Sequence, residues 1–288
     1  MKLGLIGNPV AHSRSPALHR AALIAAGLDG DYTAHRVAPG TVEDVVRSLW
    51  KDGVIGLNVT LPLKVEVLSL CDELSDVAIR AGAVNTLHRL NNGVIHGTNT
   101  DVSGGIFPLK QRGIELSGAN VLVLGAGGAA RGIVVGLLAK GVARIGVLNR
   151  TITRAQHLAA ELNDARICTI SIDSGELAAF QPSIIINATS IGLGSTPLNA
   201  DQAFGWFQRL PLSSWSIVFG YDLVYSTQNT SGMTGWTPFR QVIQDAGAAT
   251  IDGWEMLVRQ AALSFAIWTK TDVETAYAAM LATPRAAR

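Results

Sequence analysis

The 288-residue chain carries a formal net charge of +1, with 48% hydrophobic and 16% charged residues. This composition excludes a disordered chain, and the even charge balance argues against nucleic acid or an anionic membrane as a partner. Cys71 and Cys168 lie far apart and outside any C-x-x-C motif, so neither a disulfide framework nor a metal site is expected. No apolar stretch is long enough to cross a membrane. The length is sufficient for two domains, and a reducing cytoplasm is the expected location.

The first residues, Lys2–Ile6, have the pattern of a buried strand, and a polar segment follows. Ser15 precedes Pro16, which predicts a helix with Ser15 as N-cap and Pro16 at its first position. The helix is expected to run to about Ala26. A second interpretation adds Ser13, because two hydroxyls beside a helix N-terminus form a site for a carboxylate. The residues alone favour neither interpretation.

A further predicted strand, Ile55–Val59, is followed by Pro62, which suits the first turn of a helix. Thr60 and Lys64 then lie at the carboxyl end of a strand, where open α/β sheets bind ligands. A single lysine early in a helix is ordinarily exposed to solvent, but its position at this edge favours a functional site.

Asn92–Gly93 lies between two β-like runs, which indicates a hairpin. Folding the chain back at this turn brings Asn85 close to Thr100 and Asp101. Asp101 is therefore a candidate partner for Lys64.

Residues 121–148 have the pattern of strand, glycine turn, helix and strand, the unit that binds a mononucleotide. Gly125, Gly127 and Ala130 fit G-x-G-x-x-A. The first glycine allows the tight turn, the second lets the backbone approach a pyrophosphate, and the small third residue lets helix and strand pack closely. The pattern predicts a dinucleotide site.

The end of the second strand in this unit indicates which dinucleotide is bound. NAD sites carry an acidic residue here that binds the ribose hydroxyl, whereas this chain has Asn149, Arg150, Thr151 and Arg154. Two guanidinium groups can pair with a 2′-phosphate, so we expect NADP. The alternative is a solvated helix start with two ordinary arginines.

Taken together, these motifs resemble those of the shikimate dehydrogenase family over nearly the full chain. Five stretches carry the resemblance: G-N-P-V-A-H-S-R-S-P from Gly7, N-V-T-L-P-L-K from Asn58, G-A-V-N-T from Gly82, N-T-D from Asn99 and G-A-G-G-A from Gly125. Four more support it: N-R-T-x-x-R from Asn149, N-A-T-S-x-G from Asn187, Y-D-L-V-Y from Tyr221 and M-L-V-x-Q-A-A from Met256.

The resemblance implies two α/β domains, an N-terminal substrate-binding domain and a Rossmann-type NADP-binding domain, with the C-terminal helices packing on the first. We place the substrate domain at 1–102 plus 240–288 and the NADP domain at 103–239. The implied activity is the reversible, NADPH-dependent reduction of 3-dehydroshikimate to shikimate, a step of aromatic amino acid biosynthesis, by a monomer or homodimer. The alternatives are a quinate or aminoshikimate dehydrogenase of the same fold, and a non-catalytic NADP-binding sensor.

The resemblance also implies roles for individual residues. The acid/base residues would be Lys64 and Asp101, which also contact substrate. The other substrate-binding residues would be Ser13, Ser15, Asn58, Thr60, Asn85, Tyr221 and Gln260. The cofactor-binding residues would be Gly125, Ala126, Gly127, Gly128, Ala129, Asn149, Arg150, Thr151, Arg154, Phe219 and Gly253.

Two stretches depart from the family pattern. Arg20 follows His19 where the family usually has Asn, and the segment Ser226–Thr237 is longer than expected. Neither touches the residues named above, so we expect any effect to be on substrate choice or domain closure.

Overall fold

The structure, a computed structural model, describes residues 1–192, 200–226, 229–230 and 233–285. Its strands are β1 Lys2–Gly7, β2 Asp31–Arg36, β3 Val54–Val59, β4 Glu73–Leu74, β5 Thr86–Arg89, β6 Ile95–Thr98, β7 Asn120–Leu124, β8 Arg144–Leu148, β9 Ile167–Ile170, β10 Ile184–Asn187, β11 Phe219–Asp222, β12 Asn229–Thr230, β13 Met233–Thr234 and β14 Ala249–Ile251. Its helices are α1 Ser15–Ala25, α2 Val42–Lys51, α3 Asp76–Ala81, α4 Asp101–Gln111, α5 Gly128–Ala139, α6 Ile152–Leu162, α7 Gly175–Ala179, α8 Ala200–Phe207, α9 Pro238–Asp245, α10 Trp254–Thr269 and α11 Val273–Leu281. Short 3₁₀ helices occupy Glu66–Leu70 and Leu212–Ser214.

The described chain forms two compact units. The first comprises Met1–Phe107 and Glu255–Arg285, and the second contains Pro108–Trp254. Both boundaries lie later than the predicted ones, at 102/103 and 239/240. The second differs because β14 pairs with β11 and α9 packs on these two strands, so both elements belong to the second unit.

The first unit is built on a mixed sheet in the order β2-β1-β3-β5-β6-β4. β1 pairs in parallel with β2 and β3, while β5 runs antiparallel to β3 and β6. The C-terminal helices pack within this unit, as the resemblance implied: α11 contacts α1, and α10 packs on the sheet. In α10, Trp268 donates its indole N–H to the carbonyl of Leu87 at 3.0 Å. Its ring fills the space that a side chain on Gly56 would need.

The second unit is built on a six-stranded parallel sheet in the order β14-β11-β10-β7-β8-β9. The strand order reverses between β7 and β10, and ligands bind outside the carboxyl ends of strands at such a point. The glycine turn follows β7 directly. The predicted Rossmann-type domain is therefore confirmed.

Two local predictions are wrong. The helix expected from Pro62 is a turn over residues 61–65, in which the amide of Leu63 bonds the carbonyl of Thr60. Ser15 is the first residue of α1, not its cap. Its amide donates to Oγ of Ser13 at 3.2 Å, and the N-cap residue is Arg14, whose side chain makes no capping bond.

The first departure from the family pattern lies on the surface, whereas the second ends at the buried Thr237. Arg20 approaches Asp31 at 3.4 Å on the surface, where both side chains are more than half exposed. In the segment 226–237, β12 and β13 pair antiparallel, while 227–228 and 231–232 lie outside the described residues. Among the described helices, none combines the length and hydropathy needed to span a bilayer.

Candidate active site

Lys64 and Asp101 form a buried ion pair in the first unit. Nζ of Lys64 donates to Oδ2 of Asp101 at 2.5 Å, and their side chains are 14% and 5% exposed. Lys64 lies in the turn after β3, and Asp101 begins α4. Removing either partner would leave the other charge buried without a counter-charge. The structure thus brings together the two residues that the sequence analysis paired.

Asn85 holds the other oxygen of the same carboxylate. Its Nδ2 donates to Oδ1 of Asp101 at 2.9 Å, and its Oδ1 accepts from the backbone N–H of Thr100 at 2.8 Å. The β5–β6 hairpin makes this contact possible by pairing Thr86 with Thr98. The predicted neighbourhood of Asn85, Thr100 and Asp101 is confirmed.

Gln260 reaches this cluster from α10. Its Oε1 accepts from Nδ2 of Asn85 at 3.3 Å, and its Nε2 donates to the carbonyl of Leu257 at 2.8 Å. The helix approaches α4 closely, because a Cβ on Gly104 would lie 2.8 Å from Cβ of Gln260. A larger residue at Gly104 would push Gln260 away from Asn85.

Asn58 lies behind the ion pair, and both ends of its amide bind protein groups. Oδ1 accepts from the hydroxyl of Tyr32 at 2.8 Å, while Nδ2 donates to Oγ of Ser264 at 2.9 Å. Asn58 is 5% exposed. The sequence analysis placed Asn58 among the substrate contacts but identified neither Tyr32 nor Ser264.

The hydroxyls of Ser13, Ser15 and Thr60 complete the predicted substrate-binding residues of the first unit. Thr60 is half-buried after β3, with its methyl in the space left by Gly7. Ser15 is buried beside Tyr32: burial raises the pKa of the Tyr32 phenol well above its usual value, and the Ser15 hydroxyl opposes that shift. Tyr32 therefore connects the N-terminus of α1 to Asn58.

His19 supports Tyr32 from the other side. The two rings stack with centroids 4.1 Å apart. Burial lowers the pKa of His19 to about 3, against a smaller opposing effect of Asn58. This imidazole is neutral near pH 7 and fully buried, so it serves packing and not proton transfer.

The two glycines of the turn in the second unit differ in the space around them. Gly125 has φ +107°, and a Cβ there would lie 2.9 Å from the carbonyl oxygen of Ala188. Gly127 has φ −88°, and a Cβ there would meet no protein atom within 4 Å. Gly127 is the N-cap residue of α5 and has no capping side chain, so the first amides of the helix face open space. Ala126, Gly128 and Ala129 flank it.

The residues predicted to bind the 2′-phosphate follow β8, next to this turn. The amide of Gly125 bonds the carbonyl of Leu148, the last residue of β8, at 2.7 Å. Asn149 then donates Nδ2 to the carbonyl of Thr151 at 2.8 Å, and Thr151 is the N-cap of α6 without a side-chain capping bond. Arg150 and Arg154, which follow β8, are exposed cations.

Three predicted residues lie elsewhere in the second unit. Phe219 begins β11 level with Ile184, three residues and about 10 Å before the carboxyl edge, so the strand does not bring it to the glycine turn. Tyr221 is fully buried in the same strand. A Cβ on Gly253 would lie 2.0 Å from the carbonyl oxygen of Leu223, so this position admits only glycine.

A buried carboxylate that the sequence analysis missed joins three loops at the carboxyl edge. Asp222 accepts from Nδ2 of Asn187 at 2.8 Å, the amide of Val224 at 3.0 Å and the hydroxyl of Thr237 at 2.6 Å. Burial raises the pKa of Asp222 to about 7, and the three donors oppose that shift. Asp222 therefore fixes the ends of β10 and β11 relative to α9.

Known families match consecutive parts of this chain. "Shikimate dehydrogenase substrate binding domain" matches residues 5–87, and "Shikimate / quinate 5-dehydrogenase" matches residues 109–194. "Shikimate 5'-dehydrogenase C-terminal domain" matches residues 253–282. The first match falls in the first unit and the second falls in the other, while the third lies in the first unit from Glu255 onward.

Individual relatives agree with these matches. A shikimate dehydrogenase (NADP(+)) of Prochlorococcus marinus is 38% identical over 270 residues, covering 93% of this chain and 91% of the relative. The crystal structure of shikimate dehydrogenase from Aquifex aeolicus has a TM-score of 0.80 at 29% identity and 97% coverage of both chains. That of Thermus thermophilus shikimate 5-dehydrogenase in complex with NADP(H) and shikimate has a TM-score of 0.77 at 33% identity and 98% coverage of both. The chain therefore belongs to the shikimate dehydrogenase family.

Proposed function

We propose that this protein is an NADP-dependent shikimate dehydrogenase that interconverts 3-dehydroshikimate and shikimate. The observation that carries the proposal is the buried Lys64–Asp101 pair, held by Asn85. Interconversion of a ketone and a secondary alcohol requires a group that gives and takes a proton, and a buried ion pair at the end of a strand supplies one. The family and the relatives named above support the same substrate and cofactor.

The second unit has the features that a dinucleotide requires. A side chain on Gly127 would fill space that the protein leaves open in front of the α5 amides, which is where a pyrophosphate binds. The 2′-phosphate would be held by Arg150, Arg154 and the hydroxyl of Thr151, which makes no capping bond to α6. When bound, the nicotinamide supplies a hydride to the ketone carbon of the substrate.

We assign the residues of the first unit to substrate and proton. The hydroxyls of Ser13 and Ser15, beside the N-terminus of α1, would bind the carboxylate. Lys64 would donate a proton to the ketone oxygen during reduction and accept it back during oxidation, while Asp101 would keep the ammonium in place. The remaining proposed substrate contacts of this unit are Thr60, Asn85 and Gln260.

Asn58 has a different role in this proposal from the one first expected. Its amide is already engaged at both ends, by Tyr32 and Ser264, so we assign it to positioning and not to substrate contact. The proposal is tested by following the absorbance of reduced nicotinamide after shikimate and NADP⁺ are mixed with the purified protein. Formation of NADPH is expected, and no change in absorbance would contradict the proposal.

The same assay with other substrates separates the alternatives. We expect kcat/KM for shikimate to exceed that for quinate by roughly tenfold or more, because quinate carries an extra hydroxyl into a pocket that has to accommodate it. Equal efficiency would favour a quinate dehydrogenase. A preference for aminoshikimate would favour an aminoshikimate dehydrogenase. A sensor would bind NADPH and turn over none of the three, but it has no use for a buried proton-transfer pair.

Gly127→Ala tests the proposed cofactor site. The substitution meets no protein atom and needs no unusual φ, so the thermal unfolding midpoint is expected to stay unchanged. NADPH affinity is expected to fall roughly tenfold, because the methyl group occupies the space of a charged pyrophosphate and lengthens its hydrogen bonds. Affinity is measured by titration calorimetry.

Gly175→Ala is the matched control, since Gly175 also lies at a helix N-terminus with open space around it and no positive φ. It is expected to change neither stability nor affinity. Unchanged NADPH affinity in Gly127→Ala would remove this turn from the cofactor site, whereas a lowered unfolding midpoint would show that the glycine has a structural role.

A further inference from the structure

A hydroxyl group on α10 lies at the centre of the buried polar cluster behind the ion pair. Ser264 is fully buried, and its Oγ lies 3.0 Å from the carbonyl oxygen of Gln260, one turn earlier. Its Oγ also lies 2.9 Å from Nδ2 of Asn58, 2.7 Å from Oγ1 of Thr86 and 3.2 Å from Oγ1 of Thr100. A hydroxyl has one proton and two lone pairs, so Ser264 uses its full hydrogen-bonding capacity on these neighbours.

Donor and acceptor can be assigned in the hydrogen bonds that join Tyr32, Asn58 and Ser264. The phenol of Tyr32 can donate and does so to Oδ1 of Asn58. This contact sets the orientation of the amide, so that its NH₂ group faces Ser264. Ser264 is therefore the acceptor in this contact. Its position is fixed by Asn58, a residue of β3.

The cluster continues from Ser264 to the proposed catalytic pair. Thr86, which is fully buried, donates its own proton to Oδ1 of Asn85 at 2.9 Å, so in its 2.7 Å contact with Ser264 it accepts the serine proton. With Oδ1 occupied, Asn85 presents its NH₂ group to Oδ1 of Asp101. The other oxygen of that carboxylate binds Lys64. A hydrogen-bonded connection thus runs from Ser264 through Thr86 and Asn85 to the ion pair.

Among the described residues, the other groups near Nδ2 of Asn58 lie farther away than the Ser264 hydroxyl. Asn58, Asn85, Thr86 and Ser264 are each 5% exposed or less, so bulk water does not reach them. An apolar side chain at 264 would leave an amide N–H of Asn58 with only longer contacts of 3.3 and 3.4 Å. Buried polar clusters lose their defined geometry when one member is missing, because the remaining groups rearrange to find partners.

We propose that Ser264 is a positioning residue that keeps Asn85, and through it the Asp101 carboxylate, in the orientation that pairs with Lys64. The inference rests on the proposed function, in which Lys64 exchanges a proton with substrate. Ser264 is fully buried and would not contact substrate. It would link α10 to β3, β5 and the start of α4, close to the proposed reacting groups Lys64 and Asp101.

The test compares Ser264→Ala with the wild-type protein. The variant is expected to lose roughly tenfold in kcat, within the range seen when reacting groups are slightly misplaced, with an unchanged Kd for NADPH. The pH profile of kcat/KM is expected to shift on the limb that Lys64→Met abolishes. Combined with Asp101→Asn, the Ser264→Ala substitution should cause little further loss, because its effect acts through Asp101.

Thr269→Ala is the matched control. Thr269 lies on the same helix, and its hydroxyl also approaches the carbonyl four residues earlier, that of Phe265, at 2.8 Å, and Oγ1 of Thr271 at 2.9 Å. This variant is expected to keep kcat and the pH profile. If Ser264→Ala does not fold, Thr86→Val removes the next hydroxyl with little change of shape, and it should reproduce the loss of kcat and the shifted limb.

The outcomes separate the inference from the proposed function. An inert wild-type protein would overturn the function and the inference with it. An active wild-type protein would overturn the inference alone if a folded Ser264→Ala kept normal kcat and pH profile. Equal losses from Ser264→Ala with and without Asp101→Asn would also overturn it, since the serine would then act on the fold and not on the carboxylate.

Discussion

Replacing Lys64 with methionine is expected to lower kcat by roughly 10²-fold or more, within the range of general acid–base catalysis, while NADPH still binds. Lys64 is the cation that pairs with Asp101 at 2.5 Å, and His19 is buried and neutral. Methionine keeps the length and apolar stem of the side chain but carries no proton to exchange. The measurement is steady-state turnover of shikimate beside titration of NADPH.

The substitution also leaves the Asp101 carboxylate without its counter-charge, so some loss of stability is expected. The double variant Lys64→Met with Asp101→Asn separates the two effects, because it removes the unpaired charge and should recover stability but not turnover. Asp101→Asn alone should also lose kcat, and the two losses should combine less than additively because the pair acts as a unit. The exposed Lys51→Met serves as control. A folded Lys64→Met enzyme with near-normal turnover would leave Asp101 or a water chain as the base.

The proximity of Lys64 and Asp101 could be predicted because it depends on local rules. Asn92–Gly93 forces a tight hairpin, whose register places Asn85 next to the residues that follow β6. The carboxyl end of β3 places Lys64 at the same edge. The same kind of rule found the glycine turn and the arginines after β8, since each follows directly from a strand end.

The buried layer behind the pair could not be predicted in the same way. Tyr32 alternates with polar residues in β2, and Ser264 lies among apolar residues in α10, so each fits a strand or helix pattern without any sign of its partners. Their hydrogen bonds join residues up to 206 positions apart in the chain. Only the tertiary packing of α10 on the sheet shows that these hydroxyls face one another.

The boundary between the units escaped prediction for a related reason. β14 has three residues, too few to show the alternation that identifies a strand, so its pairing with β11 was not anticipated. With β14 in the parallel sheet, the chain leaves the second unit only at Trp254. The misplaced cap at Ser15 shows the same limit on a smaller scale, since both Ser13 and Ser15 suit a helix start.

Arg150→Ala is expected to weaken NADPH binding by about 1.5–3 kcal/mol, the usual size of a charge-assisted hydrogen bond, or roughly 10- to 150-fold in Kd. The residue is exposed at the carboxyl end of β8, beside the uncapped N-terminus of α6. A 2′-phosphate there would meet one guanidinium fewer. NADH lacks this phosphate, so its already weak binding should change by less than twofold.

Arg144→Ala provides the control, because Arg144 is exposed at the opposite end of the same strand, where it stacks over Phe180. It should change neither Kd. The loss in Arg150→Ala should also shrink as salt is raised, since an exposed charge pair is screened. If NADPH and NADH lost affinity equally, Arg150 would act on the turn and not on the phosphate. The preference for NADP would then have to come from Thr151 and Arg154, which the double variant Arg150→Ala with Arg154→Ala would reveal by a loss specific to NADPH.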